Sequence, residues 1–264
     1  MNQEQIDKIE KFKLREAKAK DLFSIREIGK AEAYDFVRKY HYLGNAKFFA
    51  KFSYGLIMGA ELVGVATFGC PQGSDALKGW FGLPNNDETV MELTRLCMLP
   101  MLNGTNATSY LLGGSIRMIK SHGIRAIITL ATSDRHVGSI YQVCNFKYYG
   151  LTTPKSDFWS FDTQSKPRGK VTELQGVWVA KPRKHRYAYI IDKKLKCLYT
   201  EEKRPPLDMS VDYSCCGGTG IVHDNRYNVD YTCPICTKRL YKVVDGKEIA
   251  PDFIVQKEAQ ISLF

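Results

Sequence analysis

No stretch of the 264 residues stays apolar for the roughly 18 positions a membrane-spanning helix requires, which excludes a helical span. The opening MNQEQIDKIEKFKLREAKAKD is charged throughout, unlike a secretory signal, and predicts a cytoplasmic protein. There is no convincing internal repeat, so a stacked-repeat architecture is set aside. Acidic residues are scarce in one region: between Lys166 and Pro206, twelve Lys/Arg stand against four Asp/Glu, which accounts for most of the formal charge of +10. Cysteines are few. Those at 70, 97, 144 and 197 are scattered as reduced core thiols would be, and only 215, 216, 233 and 236 cluster. With 44% hydrophobic and 25% charged residues, the chain can bury the core of one large domain and carry an appendage.

The pattern predicts three parts: a charged, frayed helix within 1–21, a main α/β domain over 22–204, and a Cys-rich region over 205–264. FSIREI alternates like a strand, KAEAYDFVRKYHYLG has helical spacing, and residues 48–69 form two β-rich runs around Gly59-Ala60-Glu61, a hairpin. Residues 70–87 are rich in glycine and proline and read as a loop. ETVMELTRLCMLP reads as a strand, ATSYLLGGSIRMIKSHG as a helix, IRAIITLATSD as a buried strand, and residues 136–145 as a helix. FKYYG, LQGVWVAK and RYAYII supply further strands. The sum is an α/β protein with a mixed central sheet flanked by helices.

This order is that of the GNAT acyltransferases. SIYQVCNF resembles their L-Y-x-x-x-G-F helix, with Tyr141 at the tyrosine and Asn145-Phe146 at Gly-Phe, although Tyr and Phe at that spacing also suit a core. The GNAT Arg/Gln-x-x-Gly-x-Gly/Ala pyrophosphate loop is absent. In its place stands MLNGTNATS, where Asn103, Gly104, Thr105, Asn106, Thr108 and Ser109 offer an anion nest for a cofactor, or an ordinary capping turn.

Six segments in order, KYHYLG, LVGVATFG, ELTRLCMLP, NATSYLLGGSIRMIK, TSDRHVGSIYQVCNFKYYG and KPRKHRYAYII, resemble the phage Mom proteins, a divergent GNAT-like family. The resemblance implies a phage-encoded enzyme of the host cytoplasm. It would convert N6 of adenine in DNA to a carbamoylmethyl derivative that masks the DNA from restriction enzymes. It also carries over site residues: His41 and Tyr42, Arg95, Ser109, Asp134 and Tyr141. The chemistry suits them, because the adenine amine is a weak nucleophile. Asp134 or His41 would take its proton, Ser109 would help an oxyanion, Tyr141 would protonate the leaving group, and Arg95 would neutralise a phosphate or order the carboxylate. His41 also suits a helix cap or core, Tyr42 a core, and Arg95 a structural salt bridge.

Acetyl transfer from acetyl-CoA lacks the second nitrogen of that product. N6-glycyl adenine is its isomer, so glycyl-tRNA is an alternative acyl donor to acetyl-CoA. A redox-metal route, with iron held by His41 and Asp134, stays open as a further alternative, with two candidate ligands. The basic stripe, with Trp178, Lys181, Arg183, Lys184, His185, Arg186 and Tyr187, predicts contact with DNA. Tyr42, Trp178 or Tyr187 is expected to stack on a flipped base. A solvated basic face is the plainer reading. Finally, Cys215, Cys216 and Cys233-x-x-Cys236, with His223 as a possible substitute ligand, predict a zinc-ribbon-like structural zinc site, against four reduced thiols. A GNAT N-acetyltransferase acting on a protein or small-molecule amine, and a non-catalytic zinc-ribbon DNA-binding protein, are the rival functions.

Overall fold

The computed structural model describes residues 3–41, 47–73, 75–133, 136–161, 163–167, 175–206, 221–224, 229–232 and 242–249. Two compact units emerge, and both are built from separated pieces of chain. The first comprises Met1–Leu130, Gly138–Gly150 and Arg186–Arg204; the second comprises Ala131–Val137, Leu151–His185 and Pro205–Phe264.

Helix α1 (Gln3–Lys13) is followed by the short α2 (Ala19–Leu22). The sequence predicts a frayed polar helix here, but Ile6, Ile9 and Phe12 recur at helical spacing. Ile9 and Phe12 are buried, and the Phe12 ring meets Phe23 edge-on at 5.3 Å. Strand β1 (Ser24–Glu27) leads to α3 (Lys30–Tyr40), then to the hairpin β2 (Phe52–Met58) and β3 (Glu61–Gly69), as its turn signal predicts. Residues 70–87 are not wholly a loop, because α4 (Ala76–Phe81) lies within them. It buries Leu77, Trp80 and Phe81 against Val90, Ile128 and Tyr149, so the apolar residues between the glycines belong to the core.

Strand β4 (Val90–Met98) is followed by α5 (Ala107–Lys120), β5 (Ala126–Thr132), α6 (Ser139–Val143) and β6 (Lys147–Leu151). Helix α6 is shorter than the 136–145 expected, because Gly138 caps its start with a φ of 76°. Then come β7 (Lys155–Ser160), β8 (Gly176–Lys181) and β9 (Lys184–Ile190). The seven-stranded sheet runs in the order β1-β2-β3-β4-β5-β9-β6. Its first four strands are antiparallel neighbours and β4–β5 is parallel, giving the mixed central sheet of an α/β fold. Strand alternation sets the two faces. Val65 and Cys97 pack beneath α3, whereas Leu111 of α5 lies against neighbouring Gly64.

In the second unit, β7 and β8 form an antiparallel pair. The C-terminal strands β10 (Ile221–Asp224), β11 (Val229–Thr232), β12 (Lys242–Val244) and β13 (Lys247–Ile249) make a four-stranded sheet in chain order. The Phe161 and Tyr231 rings lie 5.2 Å apart.

Candidate functional site

The central parallel pair parts early. Strands β4 and β5 pair only from Val90–Ala126 to Glu92–Ile128, although both continue beyond. At that point β4 also carries a bulge: Arg95 opposes Thr67 while Leu93 opposes Phe68, leaving Thr94 as the extra residue. Two hydroxyls meet there. Thr94 and Thr67 hydroxyls are 2.8 Å apart, and the buried Thr129 hydroxyl donates to the Leu93 carbonyl across the opening at 3.4 Å. A sheet interior lined with hydroxyls offers polar contacts to a ligand that apolar strand residues would not. The sequence does not single out Thr67 and Thr94, which lie on different strands and meet at the bulge.

Arg95 projects from β4 on the α3 side. Its guanidinium donates to the Lys47 carbonyl at 3.3 Å and lies 5.1 Å from the Phe48 ring, which stacks on Tyr34 of α3 at 5.6 Å. The side chain therefore fixes the strand-ward end of the segment that begins at His41. The His41 amide closes α3 by donating to the Val37 carbonyl at 2.9 Å, and its imidazole is half-buried. Tyr42 lies outside the described residues, as does Asp134. Asp134 directly follows Ser133, whose amide donates to the Arg183 carbonyl at 3.0 Å.

Within the first unit, Asn103, Gly104, Thr105, Asn106, Thr108 and Ser109 all line one cleft of about 990 Å³. Gly104 supplies the positive φ, 77°, that turns the chain toward α5. Thr105 caps the helix by accepting from the Ala107 amide at 3.3 Å, while Ser109 donates from its hydroxyl to the Asn106 carbonyl at 2.9 Å. The loop is thus both a capping turn and a cleft wall. The opposite walls come from α6, through Ser139, Ile140 and Val143, and from the N-terminal segment, through Lys13, Arg15 and Lys18. Neither His41 nor Arg95 lines this cleft.

Tyr141 sits on α6 but does not line the cleft, and its ring lies 5.7 Å from Phe146 and 5.5 Å from Tyr187. Asn145, where the GNAT pattern has glycine, adopts a φ of 63°. The Phe146 amide donates to the Tyr141 carbonyl at 2.9 Å and the Asn145 amide to Gln142 at 3.2 Å, the Schellman arrangement that glycine normally serves. Asparagine is the side chain that tolerates this conformation best after glycine, so the altered residue preserves the turn.

The basic stripe is corrected in part. Tyr187 and His185 are 0% and 2% exposed, so neither ring has a face to offer a base. Tyr187 instead packs on Tyr141 and Tyr148, and its hydroxyl accepts from Gln142 at 3.1 Å. Burial pushes the Tyr187 phenol up to about 12 despite the Gln142 hydrogen bond, which pulls the other way. Arg183 donates to the carbonyls of Thr152 and Leu151, Arg186 lies over the Tyr199 ring at 3.9 Å, and Lys181 pairs with Asp157 at 3.2 Å. Trp178, 53% exposed and edge-on to Phe158, and the exposed Lys184 remain open to a partner. Cys215, Cys216, Cys233, Cys236 and the His223 side chain lie outside the described residues. No helix among the described residues is long and apolar enough to cross a membrane.

A mixed sheet whose central parallel pair parts at its strand ends, with a cationic cleft at the start of the following helix, defines an α/β protein built to receive a ligand. A profile of the Mom protein family matches residues 22–206, and the chain belongs to that family. No curated protein matches it. Among solved structures, it is similar to the ribosomal-protein-S18-alanine N-acetyltransferase of Escherichia coli, at 10% identity and TM-score 0.43, covering 68% of this chain and 100% of that one. It is also similar to an N-acetyltransferase of Staphylococcus aureus Mu50, at 13% identity and TM-score 0.41, covering 64% and 99%.

Proposed function

We propose that this protein is a transferase that modifies the N6 amine of adenine in phage DNA, giving the carbamoylmethyl derivative that blocks restriction. Membership of the Mom family across residues 22–206 carries this reading. The parted β4–β5 pair and the cationic cleft support it by offering a place for each reactant.

The amine is a poor nucleophile because its lone pair is delocalised into the ring. A base must take its proton as it attacks, and Asp134, immediately after Ser133, is the residue proposed for this. Ser109, at the first turn of α5, would help hold the oxyanion, and Tyr141 would return a proton to the leaving group. The Tyr187 phenol packed beside Tyr141 stays protonated at neutral pH, so no charge builds up behind the proton donor. Arg95 acts at one remove by holding Lys47 and Phe48.

The residues of the α5 cleft fit an anionic donor, since they present three cations and no carboxylate. Such a donor would supply an activated acyl group. A glycyl ester balances the product's atoms: N6 attacks the ester carbonyl, the ester oxygen leaves with a proton, and N6-glycyl adenine forms. Attack of the glycyl amine on C6, with cleavage of the original C6–N6 bond, then gives the isomeric carbamoylmethyl amine. Adenine within a stacked duplex is out of reach of a cleft, so the base is taken flipped or single-stranded; of the residues expected to stack on it, Trp178 is exposed and Tyr187 is buried.

Nucleoside mass spectrometry of DNA from cells expressing the chain tests the reading. The expected adenine gains the elements of glycine less water, and Asp134→Ala lowers the yield by about 100-fold or more. Unmodified adenine from the wild type would overturn it. Label placed in the N6 amine should end in the carboxamide, and product formed from acetyl-CoA with no glycine source would remove the glycyl donor.

A further inference from the structure

The α5 cleft has a wall that the family match does not reach. Residues before Leu22 lie outside that match, yet Lys13, Arg15 and Lys18 line the cleft. The loop facing them, from Asn103 to Ser109, carries no ionisable side chain. All the formal charge in the lining therefore comes from the N-terminal segment. Lys13 is already paired with Glu10 at 2.7 Å, whereas no carboxylate among the described residues pairs with Arg15 or Lys18. Two cations converging on a concave surface without acids concentrate anions there.

The segment is anchored firmly enough to place those charges. Ile9 is 0% and Phe12 4% exposed, the Phe12–Phe23 contact fastens the end of α1, and Gln5 donates to the Met58 carbonyl at 3.3 Å. Arg15 itself stands where stability would choose glycine. Its φ is 64°, its amide donates to the Phe12 carbonyl at 3.0 Å, and the Glu16 amide donates to Lys11 at 2.9 Å, a Schellman end with arginine in the left-handed position. Arginine gains nothing there from the backbone, and its guanidinium is delivered to the cleft.

We propose that Arg15 and Lys18 bind the phosphate groups of the donor, supplying by side-chain charge the grip that a glycine-rich loop would supply through amides. The inference rests on the α5 cleft being the donor site. The ligand chemistry is a phosphate-bearing nucleotide handle, adjacent phosphates in a coenzyme A thioester and one phosphodiester per nucleotide at the 3′ end of an aminoacyl-tRNA. A cleft of about 990 Å³ is large enough for a handle of this size.

Titration calorimetry on the full chain tests this, with inorganic pyrophosphate as the probe and coenzyme A or deacylated tRNA as competitor. Arg15→Gly should weaken pyrophosphate binding about tenfold, and the double variant with Lys18→Ala about 100-fold, as expected for loss of charge-assisted contacts. Arg15→Gly should melt no lower than the wild type, which separates lost binding from lost folding. Lys20→Ala, a nearby cation outside the lining, should bind as the wild type does. The competitor that displaces pyrophosphate identifies the source of the handle. If the wild type binds none of the three, the donor-site reading fails and this inference with it. If it binds them and the double variant binds equally well, the donor site stands and the role of the N-terminal segment is overturned.

Discussion

Helices α1 and α6 end in the same hydrogen-bond pattern and differ in everything around it. At the end of α6, Asn145 takes the left-handed position, Phe146 packs on Tyr141, and Arg204 donates to the carbonyls of Gln142 and Phe146 at 3.2 Å each. Residue choice, apolar contact and a capping cation all favour the turn. At the end of α1, Arg15 takes that position, and the equivalent pair is Lys11 and Glu16, both exposed. The first end has the composition of a stability element, while the second tolerates strain and places a cation. A left-handed turn can therefore hold a helix end or present a side chain, and its neighbours show which.

The largest difference between the two ends should appear in alkali. Tyr187 lies behind the α6 end with its phenol pushed up from 10.0 to about 12, chiefly by burial. A group whose folded pKa is raised contributes stability that is complete below the unfolded pKa and lost as pH rises toward the folded one. Thermal melts should therefore begin to fall near pH 9, where the buried Cys97 and Cys144 thiols, raised to about 11, come into play, and fall further between 10 and 12 through Tyr187 and Tyr54, the latter also raised to about 12. Tyr187→Phe should make that fall shallower; an unchanged slope would show that the phenol is not sealed behind α6.

Next in size is Asn145→Val, which sets a β-branched residue at a positive φ and should cost about 2 kcal/mol in urea unfolding, with the m-value unchanged. The smallest effects should come from glycine. Arg15→Gly is expected to raise stability by about 1 kcal/mol, and Asn145→Gly by about half of that, because asparagine already relieves part of the strain. Equal gains at the two sites would remove the contrast between them.

Several of these features are legible in the sequence. The β2–β3 hairpin follows from its glycine turn, and the α5 and α6 segments from apolar spacing and the Tyr141–Phe146 pattern. Helix α4 was hidden because six residues flanked by Gly and Pro give no periodic signal, so Trp80 read as part of a loop. Tyr187 misled for a different reason. A strand that alternates basic and aromatic residues looks like a nucleic-acid stripe, yet in β9 the alternation of faces sends His185 and Tyr187 into the core. The Thr67 and Thr94 hydroxyls come from neighbouring strands and meet at a bulge that the sequence does not announce. At the N-terminus, a polar composition masked three apolar residues at helical spacing, and with them the fact that α1 is docked.

The place of β9 in the sheet bears on how the chain reaches its native state. It sits between β5 and β6, which precede it in sequence, so both strands keep an unpaired edge until residues 184–190 have been synthesised and threaded between them. Closure of the sheet thus depends on long-range pairing, the slow kind, and the waiting edges invite association with other chains. A nascent chain halted before Lys184 would expose both edges. Folding on the ribosome should therefore be more vulnerable over that interval than before or after it.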